Sequence, residues 1–304
     1  MNFEWKGIFP AITTKFTADD QLDFDAFDVN LEAQIEAGID GIILGGSLGE
    51  ASTLFQYEKD ALLKHTVEKS AGRIPVLMNI AESSTKQAVD AAISARDNGA
   101  DGLMLLPPMR YTSDELETVT FLREVAKSTE LPIILYNNPV DYKIWISPQM
   151  FRQLEDLPTI QAVKESTRDI SNVTRMKNAF GDRFAVLTGV DTLGMESLLM
   201  GADGWVAGLV CALPRETVAI YRLIKAGKIA EALEIYRWFL PVLELDVSTK
   251  LVQNIKLAES MTGLGNEYVR APRLPLSGTE RERVLEILNK ALANRPQLPD
   301  YLNL

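Results

Sequence analysis

Apolar residues along this chain gather in short, nearly unbroken runs separated by longer stretches with a helical rhythm. The runs are "GIFPAITTKF" (7–16), "GIILGG" (41–46), "PVLMNIA" (75–81), "GLMLLPP" (102–108), "PIILYNN" (132–138), "IQAVKES" (160–166), "FAVLTGV" (184–190) and "GWVAGL" (204–209). Apolar runs without polar alternation mark strands buried on both faces, as in a parallel sheet. Between them, segments such as "DFDAFDVNLEAQIEAG" and "SSTKQAVDAAISARDNGA" carry apolar positions three and four apart, which predicts amphipathic helices. Ser84, Thr112 and Asp191 stand where N-caps are expected, and Gly38, Gly99 and Gly201 stand near helix ends.

A short phrase repeats before three of the strands: "GIDG" (38–41), "GADG" (99–102) and "GADG" (201–204). Equivalent β–α units leave this kind of recurring helix-stop signal. Eight such units within residues 1–225 predict an α/β fold, a (β/α)8 TIM barrel forming the catalytic domain. An open doubly wound sheet is the structural alternative, but no GxGxxG follows the first strand. Residues 226–304 read as a C-terminal three-helix extension packed on the barrel, with the Pro-rich "NEYVRAPRLPLSG" as an extended link.

Barrel active sites lie at the C-terminal ends of the strands, so the residues ending each run deserve inspection. The sixth run ends in Lys164, a cation that is costly to desolvate, and the fifth in Tyr136. Burial destabilises the ammonium form, and the free amine that results attacks carbonyl or imine carbon to form a Schiff base. The residues alone leave open that Lys164 merely pairs with a rim carboxylate, and that Tyr136 is a core residue with a satisfied hydroxyl. "GGSLGE" (45–50) offers backbone N–H groups suited to a carboxylate.

Composition narrows the chemistry further. The chain holds one histidine, His65, and one cysteine, Cys211, which argues against Ser-His-Asp and Cys-His machinery and excludes any multi-histidine metal site. His65 reads as a helix-surface residue and Cys211, in "GLVCALP", as a core residue. Acid–base work is left to Tyr, Lys, carboxylates or water. With 42 acidic against 31 basic residues, the net charge of −11 argues against nucleic acid as a partner. No stretch approaches the about 20 apolar residues of a membrane span. The N-terminus lacks the pattern of a signal peptide, and the expected location is cytoplasmic.

Three motifs in order, "GGSLGE" after the second strand, "YNNP" after the fifth and "VKES" in the sixth, resemble the dihydrodipicolinate synthase/N-acetylneuraminate lyase family along nearly the whole chain. The resemblance implies a barrel enzyme whose lysine forms a Schiff base with a 2-oxo acid or its equivalent. Carried over by motif, Lys164 and Tyr136 are catalytic, while Gly46, Ser47, Leu48 and Gly189 bind substrate. It further implies no cofactor and no metal, a small imino or 2-oxo acid as substrate, and a homotetramer. The chain also departs from the synthase pattern. Ser47-Leu48 replaces a double threonine, Pro108-Met109 replaces a Tyr-Tyr pair, and Val140 and Asp141 occupy the region that supplies an arginine, with Lys143 nearby as a single-point donor. The segments "GWVAGLVCALPRETVAIY", "LDVSTKLVQNIKLAE" and "VRAPRLPLSGTERERV" resemble the branch that deaminates Δ1-pyrroline-4-hydroxy-2-carboxylate to 2,5-dioxopentanoate and ammonia. A condensing synthase or aldolase of the same family, and a non-catalytic barrel that only binds a small acid, are the competing readings.

Overall fold

The repeated Gly-x-Asp-Gly finds its reason in the computed structural model, which describes residues 3–108 and 111–304. Gly38, Gly99 and Gly201 adopt φ of +86°, +90° and +99°, left-handed conformations that end a helix without the penalty of a Cβ. The aspartate two residues on then turns back to the preceding strand. Asp40 accepts a hydrogen bond from the Ile8 N–H (2.8 Å), Asp101 from Val76 (3.0 Å) and Asp203 from Val186 (2.7 Å). Each repeat therefore ties one β–α unit to its neighbour at the N-terminal end of the barrel.

The strands are β1 (Gly7–Pro10), β2 (Ile42–Leu44), β3 (Val76–Ile80), β4 (Gly102–Leu105), β5 (Ile133–Asn137), β6 (Ile160–Glu165), β7 (Ala185–Thr188) and β8 (Gly204–Ala207). They form one parallel sheet in the order β1-β8-β7-β6-β5-β4-β3-β2, and a bridge between Ala11 and Ile43 joins its two ends. The sheet is thus a closed barrel, as the periodicity predicts. Phe9, Ile43, Leu77, Met104, Ile134, Ala162, Leu187 and Val206 fill its interior, with Trp5 stacked on Phe9 at 5.9 Å at the N-terminal end. Each such side chain contributes roughly 1.5–3 kcal/mol by leaving water. The opposite strand face packs against the helix layer.

That layer contains α1 (Phe24–Glu36), α2 (Gln56–Ser70), α3 (Thr85–Asp97), α4 (Glu115–Lys127), the short α5 (Pro139–Tyr142) and α6 (Pro148–Arg152), α7 (Ser171–Phe180), α8 (Gly194–Leu199) and α9 (Pro214–Lys225). Ser84 caps α3 as expected, its Oγ accepting from the Gln87 N–H. The cap of α4 is Asp114 rather than Thr112, because Asp114 and Glu117 satisfy each other's backbone N–H groups reciprocally. Asp191 does not cap a helix with its side chain either, and its carboxylate has a different task described below. His65 lies half-buried on α2, 2.7 Å from Asp28, and Cys211 is a core residue whose thiol burial pushes well above its usual range. No helix among the described residues is long and apolar enough to cross a membrane.

Three further helices follow: α10 (Ile229–Leu243), α11 (Leu251–Thr262) and α12 (Gly278–Ala293). Buried ion pairs clamp α11 and the link after it to the barrel. Glu259 on α11 accepts from Thr13 (2.7 Å) and Lys15 (3.0 Å), Lys256 reaches Glu50 (2.5 Å), and Arg270 forks onto both oxygens of Glu58 (2.7 and 2.8 Å). Removing one partner of such a pair typically costs about 3–5 kcal/mol, since the other charge stays buried. These contacts also explain why the first apolar run outlasts β1. Thr13, Thr14 and Lys15 are buried; Thr13 and Lys15 serve the joint with α11, while Thr14 donates to Gly49 O (2.7 Å) in the loop after β2.

Candidate active site

Strand alternation decides which residues at the C-terminal end of the barrel face inward. Tyr136 and Lys164 are direct partners in the β5–β6 register, each two residues beyond an interior side chain, Ile134 and Ala162. Both therefore point into the mouth. Glu165, one residue on, faces the helix layer, where it accepts hydrogen bonds from the Thr167 N–H (2.8 Å) and from Asn172 Nδ2 (2.5 Å). The sequence puts Lys164 and Glu165 side by side; the pleat sends them to opposite faces.

Lys164 is 6% exposed, and its Nζ lies 4.1 Å from the centre of the Tyr136 ring. No carboxylate among the described residues is within ion-pair distance of it, so the rim-ion-pair reading finds no support. Burial lowers its pKa from 10.5 to about 8, against the more distant attraction of Asp246, Asp191 and Asp141. The face of Tyr136 favours a cation by about 0.5–2 kcal/mol. Desolvating an ammonium costs several kcal/mol, so the lowering wins. A usable share of free amine is then present near neutral pH. At limiting pyruvate, the rate of adduct formation at Lys164 is expected to rise close to tenfold per pH unit below about 8 and to level off above it, because only the free amine is nucleophilic. Stopped-time borohydride trapping across pH 6 to 10 measures this, and a rate that falls over the interval contradicts it.

The Tyr136 hydroxyl accepts from Asn138 Nδ2 (3.1 Å), and burial pushes its pKa to about 12. The phenol stays protonated and can pass a proton beside the amine. Ser47 does not bond Tyr136; its Oγ meets the hydroxyl of Tyr142, whose ring packs edge-on against Tyr136 at 5.5 Å. Gly46, Ser47, Leu48 and Gly189 all line the same cavity of about 90 Å3, several times the room one water needs. Gly189 is confined to hydrogen by its neighbours. A Cβ there would stand 2.3 Å from Ser166 Oγ and 2.6 Å from Lys164 Cε. Met109 lies outside the described residues.

The cavity also contains residues that the sequence reading did not place in the site, Asp141 having been named there only as a departure from the synthase pattern. Tyr142 and Asp141 come from α5, whose start Asn138 fixes by accepting from the Asp141 N–H (3.1 Å). Arg168 lines the rim from a left-handed backbone position, φ 63°. Ser166 Oγ is buried without a partner among the described residues. Asp246 enters from the turn between α10 and α11. Asp141 and Tyr142 stand just beyond the "YNNP" motif and were accessible to a reading of every polar residue after the strand. Asp246 carries no such signal. Lys143, by contrast, does not line the cavity; it is exposed and donates to its neighbour Val140 O (2.6 Å).

A buried, depressed amine against a protonated phenol at the mouth of a (β/α)8 barrel defines a Schiff-base barrel of the aldolase type. The comparisons agree with this geometry. The chain belongs to the Dihydrodipicolinate synthetase family, whose family model matches residues 4–291. The 4-hydroxy-tetrahydrodipicolinate synthase of Methanothrix thermoacetophila is 30% identical over 94% of this chain and 97% of its own. Among solved structures, the 4-hydroxy-tetrahydrodipicolinate synthase of Methylacidiphilum fumariolicum superposes with a TM-score of 0.91 at 30% identity, covering 95% of this chain and 97% of its own. A prophage protein of the dihydrodipicolinic acid synthase family from E. coli K12, in complex with pyruvate, superposes with a TM-score of 0.89 at 25% identity, covering 95% and 99%.

Proposed function

We propose that this protein is a Schiff-base-forming deaminase that converts Δ1-pyrroline-4-hydroxy-2-carboxylate to 2,5-dioxopentanoate and ammonia. Asp141 carries the reading: a carboxylate lines the cavity in the region where the synthase motif supplies an arginine, while Lys143 faces away. A condensing synthase must hold a second carboxylate in this part of the site. A like charge in this part of the cavity disfavours a second carboxylate, by an amount that solvent around the exposed Asp141 reduces. Opening the cyclic imine has the opposite need, since it releases a primary amine that is attracted to Asp141.

The steps follow from the residues present. Lys164 adds to the imine carbon that bears the carboxylate, and transimination opens the ring. The Schiff base acidifies the adjacent C–H, Tyr136 assists the proton transfers, and the 4-hydroxyl departs. A proton shift from the far CH2–NH2 carbon onto the new C=C, followed by tautomerisation, turns that amine into an imine; water then releases ammonia from it and the product from Lys164. Leu48, apolar and buried in the cavity, contributes surface for the ring rather than a hydroxyl relay.

A second reading, condensation of pyruvate with aspartate semialdehyde, has its own support in the names of the relatives, which are 4-hydroxy-tetrahydrodipicolinate synthases over nearly their full length. One paired experiment separates the two. Ammonia and semialdehyde release from the pyrroline, measured beside a condensation assay, is expected to show robust deamination and condensation lower by at least two orders of magnitude. Robust condensation with little ammonia would return this chain to the synthases.

A further inference from the structure

Tyr136 can serve the C–H next to the Schiff base, but the departing hydroxyl needs a proton donor of its own, and the cavity wall beyond Lys164 holds a carboxyl group. Strand order places Tyr136 (β5) on one side of Lys164 (β6), while β7 and β8 lie on the other. Asp246 arrives on that second side. It comes from the α10–α11 turn, and its Oδ1 lies 2.6 Å from where a Cβ on Gly208, just past β8, would stand. The turn is held in place: Asn254 donates to Leu245 O (2.9 Å) and the Asp246 N–H to Leu243 O (3.1 Å). Ser166, 2% exposed, lines the same cavity, its Oγ 2.3 Å from where a Cβ on Gly189 after β7 would stand.

We infer that Asp246 is the general acid that protonates the leaving hydroxyl β to the Schiff-base carbon. This rests on the proposed deaminase reading and assigns its missing proton donor. The electrons balance as follows. The C–H bond next to the Schiff base breaks and its pair forms an enamine. The enamine then re-forms the C=N bond and a new C=C bond while the C–O bond breaks. The oxygen leaves with the C–O pair, takes the proton of Asp246 and departs as water, leaving Asp246 a carboxylate. A base at this position would instead deprotonate the hydroxyl and set up carbon–carbon cleavage, so the protonation state of Asp246 separates elimination from a retro-aldol reaction.

The surroundings hold that proton in place. Asp191 lies behind Asp246, 1% exposed, its carboxylate engaged by the Gly208 N–H (3.1 Å), the Leu209 N–H (2.7 Å) and Trp205 Nε1 (3.0 Å). Burial first, and the neighbouring Asp191 second, raise the pKa of Asp246 well above the usual carboxylate range; Lys164 and a hydrogen bond from the Asp191 backbone pull it down, and Asp141 pushes it up. Arg168, Tyr136 and Tyr142 complete the ionisable lining. When the Schiff base passes to its neutral enamine, the opposing pull of Lys164 vanishes. Asp246 is therefore most firmly protonated just before the hydroxyl must leave. Tyr136 is a poorer donor for this step, with its pKa near 12 and its place on the other side of Lys164.

The test uses the full chain, the hydroxypyrroline carboxylate and pyruvate. In Asp246→Asn, kcat for ammonia release is expected to fall at least 100-fold, while borohydride trapping of pyruvate at Lys164 stays within about twofold. Wild-type kcat should fall on an alkaline limb as the acid loses its proton. That limb should vanish in Asp246→Asn, and Asp246→Glu should restore part of the rate. Unchanged kcat in Asp246→Asn, an alkaline limb that survives the substitution, or joint loss of trapping and kcat would each overturn the assignment. Wild-type protein that releases no ammonia refutes the deaminase reading itself, and the acid with it; normal wild-type release with an unaffected Asp246→Asn refutes only the acid.

Discussion

Lys164→Ala protein is expected to show no covalent adduct with pyruvate or the pyrroline after borohydride reduction, and activity at least about 10⁴-fold below wild type. Covalent catalysis through a Schiff base divides one difficult step into easier ones, and no neighbouring group can take the amine's place. A loss of this size corresponds to roughly 5.5 kcal/mol of barrier. The fold should tolerate the change. Lys164 makes no ion pair among the described residues, so its removal costs only the longer-range attraction to Asp191 and Asp246 and relieves a desolvated amine. Peptide mass mapping of the trapped wild-type protein locates the adduct. Equal trapping in Lys164→Ala would move the nucleophile elsewhere.

Tyr136→Phe is expected to separate binding of the carbonyl or imine from turnover. The phenylalanine keeps the ring that covers Lys164 Nζ and packs against Tyr142, so the cavity retains its shape. What disappears is the protonated hydroxyl beside the amine and its bond from Asn138. General acid–base groups are worth about 10²–10⁴-fold, and kcat should fall by that amount while KM changes little. Trapping should still yield an adduct, formed more slowly. A variant with wild-type kcat would show that Tyr136 only packs. The pH response adds an independent check, because the limb set by Lys164 at about 8 should persist in Tyr136→Phe.

Much of the site could be read from the chain because barrel geometry converts position into orientation. Lys164 and Tyr136 end neighbouring parallel strands, which places both at the mouth end of the barrel; the structure adds that the residue two places earlier in each is an interior side chain. Gly46, Ser47, Leu48 and Gly189 follow strands β2 and β7 for the same reason and line the same cavity. The reason for Gly189 was not legible, since only the fold brings Ser166 Oγ and Lys164 Cε within 2.6 Å of its missing side chain. Ser47 illustrates the reverse. Its place beside the substrate was expected, but its partner, Tyr142, depends on how the short helix α5 turns after β5.

The sequence by itself determined the number of strands, their burial on both faces, the helix stops at Gly38, Gly99 and Gly201, and the amine at the end of β6. These are local properties: hydrophobic period, backbone conformation and the cost of burying a charge are written into adjacent residues. Only the tertiary structure decided that the aspartates after those glycines lace neighbouring strands together, that Asp191 holds the backbone after β8 instead of capping a helix, and that Glu165 turns from the cavity that Lys164 faces. It also decided that the helical extension, clamped through Glu259, Lys256 and Arg270, delivers Asp246 to an amine on β6. Contacts between residues far apart in the chain follow from closing the barrel and docking α10 and α11, and no periodicity along the chain encodes which side chains then meet.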